Sequence, residues 1–368
     1  MTVRGRLSER AKNCVQPGRT YHAIGVLPSG PVGRDSPPVG ALALVRLPVV
    51  PLRRPAVGYA LVVSGALLFI LNAGVSRVAI RAGVDATSLT SLRVTGAFVV
   101  FAALATALRP RALRPPRGRD LLLLLALGLV GVAALQWTYF VAIDRLPLGV
   151  ALLLEYTAPV LVALWARFVQ HEQVRRRMWI AIALSLGGLA LVAQVWRGLA
   201  FDGLGVLAGL GAAVCFATYF LLGEQQVNDA DPLAVILWSF LVAAVALNVA
   251  QPVTSIDSGV LTSSSSLLGA LEGWQLPVWA LLAWIIVAGT VIPFFAALLA
   301  LRHLPATMVT MVAMLEPVGA ATLGWAWFDE TLSPPQLAGA VAVVAGILLA
   351  QSARRVARQP VEPPVAIT

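Results

Sequence analysis

The 368 residues are 59% hydrophobic and only 12% charged, with a formal net charge of +10. Soluble domains run at about 45–50% apolar and about 25% charged, so this composition excludes one and describes an all-α integral membrane protein. The basic balance does not point to nucleic acid, because Arg gathers at the start of the chain and in short gaps between apolar runs.

Residues 1–55 are rich in Arg, Pro and Gly and carry no clean signal peptide. They read as a disordered cytoplasmic extension, or as the product of a start assigned too early, because they cannot bury enough apolar surface to fold. Ten apolar segments follow, each near the roughly 20 residues that cross a bilayer. They cover residues 57–80, 86–108, 121–143, 147–169, 178–196, 203–222, 232–250, 277–300, 304–328 and 334–352. Residues 251–276 form a Ser-rich connection that reads as a flexible surface loop, and 353–368 form a cytoplasmic tail. Cys14 and Cys215 supply neither a disulfide framework nor metal spacing. Arg109, Arg111, Arg114, Arg117 and Arg119 follow the second segment, Arg175, Arg176 and Arg177 follow the fourth, and Arg354, Arg355 and Arg358 close the chain. This bias places both termini on the cytoplasmic side of a multi-pass protein of a bacterial-type inner membrane.

The segment DRLPLGVALLLEYTAPVLVALWARFVQHE (144–172) repeats as RHLPATMVTMVAMLEPVGAATLGWAWFDE (302–330). At one offset Leu146 meets Leu304, Pro147 meets Pro305, Pro159 meets Pro317, Glu172 meets Glu330, and Gly188 meets Gly346. A weaker match pairs Gly58 and Phe69 with Gly205 and Phe216. Segments one to five therefore repeat as six to ten, giving repeats over 57–196 and 203–352. Five crossings are an odd number, so the second copy enters from the opposite face. Inverted repeats of this kind are a hallmark of secondary transporters, which expose a midplane site to each side in turn.

These blocks, with TSLRVTGAFVVFAALA (90–105) in the second segment, resemble the EamA branch of the drug/metabolite transporter superfamily over about residues 57–352. LGVALLLEYTAP is similar to the wording of threonine/homoserine-type exporters in that branch. The resemblance implies a carrier of small polar metabolites, often an exporter of amino acids. The copies differ in their charges. Arg93 falls roughly opposite Phe240, Glu155 opposite Ala313, and Glu316 opposite Ala158.

Charged groups inside a membrane are costly and mark function by default. At 1.5 Å per residue, Glu155 and Arg93 each lie about 12 Å below the outer boundary, a matched depth that suggests an ion pair. Glu316 lies about 16 Å deep with no cation at its level. That is the profile of a proton carrier or of a ligand for a substrate amine; the other reading is a carboxyl bonded to a carbonyl freed by Pro317. Positions 155 and 158 share a helix face, and their mates are 313 and 316, so both glutamates face a common cavity. Pro159 and Pro317 break helical hydrogen bonding beside them. Asn72, Gln136, Tyr139 and Tyr156 suit hydrogen bonding to a polar solute and Trp137 and Trp238 suit a cavity wall, while each taken singly reads first as interhelical glue or packing. Arg77 reads as an interfacial anchor, and Glu172 and Glu330 as span-end charges. No HExxH, GxSxG or Walker-type motif is present, so the expected protein is not an enzyme and needs no cofactor or metal. The expected partners are a small polar metabolite and the lipid bilayer, with homodimerisation left open. The alternatives are a carrier of sugars, nucleosides or drugs, or a passive channel or scaffold.

Overall fold

The computed structural model describes residues 54–146, 148–196, 202–253 and 258–354. The extension over 1–55 and the tail over 353–368 therefore fall almost wholly outside the described residues, as does Pro147.

The helices in chain order are α1 (Pro55–Arg81), α2 (Ala86–Leu108), α3 (Arg119–Arg145), α4 (Leu148–Glu155 continued by Ala158–Phe168), α5 (Arg176–Val192) and α6 (Gly203–Asp229). They continue with α7 (Pro232–Ala250), α8 (Val278–Ala300), α9 (Ala306–Ala313 continued by Leu315–Phe328) and α10 (Pro334–Arg354). Nine helices among the described residues are long and apolar enough to cross a membrane. The fifth expected segment, 178–196, is shorter than read: α5 holds 17 residues and ends in a left-handed turn at Gln194, φ 48°.

Aspartates start three of the helices. Asp85 accepts the Ser88 amide at 3.0 Å, Asp202 accepts that of Gly205 at 2.8 Å, and Asp231 accepts that of Leu233 at 3.0 Å. Each satisfies an amide that the first helical turn leaves without a partner. The Thr87 hydroxyl, and then the Ser88 amide, hold the Asp85 carboxyl below the usual carboxylate range. α4 breaks at Tyr156 and Thr157, and α9 at Met314. Each proline then sits in the first turn of the following piece, where its missing N–H costs no helical bond. α3 and α8 each carry a π-helical stretch, over Leu127–Ala134 and Val287–Val291.

The Ser-rich connection is ordered where described. Ser264–Ser266 pairs antiparallel with Gln275–Pro277, and Trp327 Nε1 donates to Leu267 O at 3.0 Å, tying the hairpin to the end of α9. The expectation of a flexible loop overlooked this tie, which composition does not encode.

The helices pack through small residues. A Cβ at Gly58 would lie 2.6 Å from Leu304 Cγ, and one at Gly205 would lie 2.8 Å from Leu146 Cγ. A Cβ at Gly188 on α5 would lie 2.7 Å from the Gly339 carbonyl and 2.8 Å from Val343 N on α10. One at Gly346 would lie 2.8 Å from the Ala181 carbonyl. Rising numbers on α5 meet falling numbers on α10, so these two helices run antiparallel. One end of the bundle carries Arg81 and Arg145, the other Arg109 and Arg302. At the second end Leu298, Leu301, Leu304, Met308 and Met311 are fully buried and form a packed base.

Candidate functional site

A cavity of about 920 Å³ enters from the Arg81 end and runs toward the middle of the bundle. Its volume lies within the range of about 300–1,000 Å³ common for small-molecule sites. Asn72 of α1, Arg93 of α2, Gln136 and Tyr139 of α3, Glu155 and Tyr156 of α4, and Glu316 and Pro317 of α9 all line it. The packed base contributes none of its five residues to the lining.

The broken helices bring two of these groups together. Tyr156 Oη donates to Glu316 Oε2 at 2.8 Å, across 160 positions of sequence. The carboxyl expected to stand alone thus has a hydroxyl partner, and that bond joins the joint of α4 to the joint of α9. Glu155 ends the first piece of α4 and Tyr156 opens the break, and both side chains line the same cavity.

The expected Arg93–Glu155 ion pair is not formed. No N···O contact within 4.0 Å joins them among the described residues, and Arg93 Nε is buried with no hydrogen-bond partner. Equal depth fixes only the position along the membrane normal, and the two side chains leave different walls. A guanidinium and a carboxylate are thereby held in one cavity without being spent on each other. A guanidinium so placed offers a planar fork to a carboxylate, and Glu155 and Glu316 offer acceptors to an ammonium.

Three other expectations are corrected. Trp137 is 56% exposed and does not line the cavity. Gln136 and Tyr139 are three apart and share the cavity face, and a residue one step from Gln136 is turned about 100° off it. Pro159 is buried outside the cavity lining; the backbone break lies at Tyr156 and Thr157, before it. Trp238 is likewise off the cavity and donates through Nε1 to Ala112 O at 3.1 Å. Asn72 and Gln136 are buried in the lining, and Asn72 Oδ1 packs on Gly289 of the α8 π-helical stretch without a hydrogen-bond donor.

The structure also adds residues. Arg77 and Glu330, read as separate span-end charges, form an ion pair of 2.6 Å at the cavity rim, with side chains 44% and 50% exposed. The Arg77 guanidinium lies 4.4 Å from the Phe328 ring centre. The signal for the pair was their shared boundary, one just before the end of the first segment and the other just after the ninth. Phe69 and Phe216 form part of the deeper wall. Phe69 packs edge-on against Phe294 at 5.3 Å, and Phe216 against Tyr156 at 5.7 Å and Phe220 at 4.9 Å. The repeat had matched Phe69 with Phe216, which was the available clue. Tyr219 Oη donates to Phe294 O at 3.2 Å and holds that wall in place.

Apolar helices around a charged inner cavity are the architecture of a membrane transporter. The model of the EamA-like transporter family matches residues 56–194 and again residues 203–351. The chain belongs to the EamA-like transporter family. It is 26% identical over 217 residues to the threonine/homoserine exporter RhtA of Escherichia coli (strain K12), covering 59% of this chain and 66% of that one. It is 27% identical over 265 residues to RhtA of Salmonella typhimurium (strain LT2), covering 71% and 80%. It is 27% identical over 268 residues to an uncharacterised transporter of Archaeoglobus fulgidus, covering 73% and 87%. The match thus spans about two thirds of the Escherichia coli relative's length. A solved crystal structure matches with a TM-score of 0.67 at 18% identity, over 82% of this chain and 99% of that one, and shows the fold alone.

Proposed function

We propose that the protein is a proton-coupled secondary transporter that exports small polar metabolites, amino acids foremost, by alternating access across a bacterial-type inner membrane. The observation that carries this reading is the cavity, in which Arg93, Glu155 and Glu316 stand ready for a solute bearing both a carboxylate and an ammonium. The names of the RhtA relatives make threonine and homoserine the first solutes to test.

Alternating access asks for two equivalent halves of opposite orientation. On this reading α1–α5 and α6–α10 are those halves, α5 is the fifth crossing, and both termini are cytoplasmic. Four features support it. Gly58 on Leu304 is mirrored by Gly205 on Leu146, the repeat mates of the same two residues. α5 and α10, also mates, run antiparallel through Gly188 and Gly346. The π-helical stretches fall in the mates α3 and α8. His171 and Asp329, again mates, both turn the chain at φ 55°. The base then closes the cytoplasmic side while the rim at Arg77 and Glu330 faces out.

The test uses purified protein in proteoliposomes with an imposed proton gradient and radiolabelled threonine, homoserine and further amino acids. Gradient-driven flux of at least one is expected, with Glu316→Gln removing most of it. Flux of none, or a Glu316→Gln variant as fast as the parent, contradicts the reading.

A further inference from the structure

A second crevice, of about 600 Å³, lies at the Arg109 and Arg302 end, outside the central cavity. Its mouth is charged. Arg302 is fixed by Nε donating to Val227 O at 2.9 Å and Nη2 to Ala230 O at 3.0 Å. Its Nη1 makes no hydrogen bond among the described residues. Arg109 follows the last turn of α2 and is exposed. Asp229 ends α6, and Asp231 caps α7. Two arginines and two aspartates balance to no net charge, so the mouth does not select an anion. It matches a group carrying both signs.

The interior of the crevice is apolar. Leu104 and Leu108 stand one turn apart on α2, and Phe295 and Leu299 one turn apart on α8. Residues four apart stack along a helix axis, so the two pairs make a slot leading from the charged mouth toward mid-membrane. A soluble zwitterion would leave that slot uncovered, whereas one acyl chain fills it.

We infer that this crevice binds a zwitterionic aminophospholipid of the ethanolamine type. The phosphate lies between Arg109 and Arg302, the ammonium is at Asp229 and Asp231, and a chain runs between α2 and α8. The experiment is native mass spectrometry of the delipidated full-length protein, titrated with dioleoyl phosphatidylethanolamine, phosphatidylcholine or phosphatidylglycerol, and separately with chain-free phosphoethanolamine. The ethanolamine lipid is expected to bind about tenfold more tightly than the other two, because the glycerol lipid lacks the cation and the choline lipid's trimethylammonium has no N–H to donate to Asp229 and Asp231. Arg109→Gln with Asp229→Asn should erase that preference, and Arg145→Gln with Asp202→Asn at the opposite end should keep it. Equal binding of the three lipids, preference for the glycerol lipid, or phosphoethanolamine competing as well as the whole lipid would overturn the assignment. The selectivity of the unaltered protein decides the matter even if a variant fails to fold.

Discussion

At the scale of single residues, the cavity holds charge without neutralising it. Ion pairs inside proteins gain little when formed and cost a great deal when one partner is removed. A transporter site has reason to leave its charges apart, since a guanidinium already paired with Glu155 would have to be freed before binding a solute. Arg93→Gln is therefore expected to fold and to lose discrimination between an amino acid and its decarboxylated amine, by about tenfold or more in apparent affinity. Competition of the two solutes in the flux assay measures this; a variant that still prefers the amino acid would show that Arg93 does not meet the carboxylate. Tyr156 is tested by removing one oxygen. A hydrogen bond of this kind contributes about 0.5–1.5 kcal/mol, so Tyr156→Phe should slow gradient-driven flux by roughly threefold to tenfold. The sequence located these side chains because charge stands out in an apolar run. It missed the Tyr156–Glu316 bond because depth along a helix gives one coordinate of three and says nothing of direction around the axis. It also kept Arg77 and Glu330 apart, since 253 positions separate them in the chain.

At the scale of elements, small residues set how closely helices approach. In lipid there is little hydrophobic drive between helices, so close van der Waals contact carries more of the association. Gly188→Val and Gly346→Val each push a side chain into the facing backbone of the same helix pair. Overpacking of this kind costs about 1–3 kcal/mol, and the two losses should be similar because the sites are mates. Gly187 has open space where a Cβ would sit, so Gly187→Val should stay within about 0.5 kcal/mol of the parent. Thermal unfolding in detergent compares the three. Helix ends were legible where a cap coincides with the change in polarity, as with 86–108 against Ala86–Leu108 and 232–250 against Pro232–Ala250. They were not legible for α6, which was read to 222 and runs to Asp229. Apolarity marks where lipid ends, and the polar turns beyond it stay helical because Gln226 and Val227 are still packed. The π-helical stretches left no mark, since Leu, Val, Gly and Ala suit either winding.

At the scale of the whole molecule, the proposed inverted duplication would account for mates that pack across a common axis and for a cavity closed at one end only. The doubling was legible because LP, the following Pro and the terminal Glu recur in register. The inversion was read from counting crossings, and the count turns on α5, whose 17 residues make it the shortest of the ten helices. Gln173 and Thr331 are repeat mates, and both are exposed, just after α4 and α9. Single cysteines placed there, in a background lacking Cys14 and Cys215, can be labelled with a membrane-impermeant maleimide in intact cells and in inverted vesicles. Thr331→Cys is expected to react only from outside and Gln173→Cys only from inside; reaction of both from the same side would rule out the inverted arrangement.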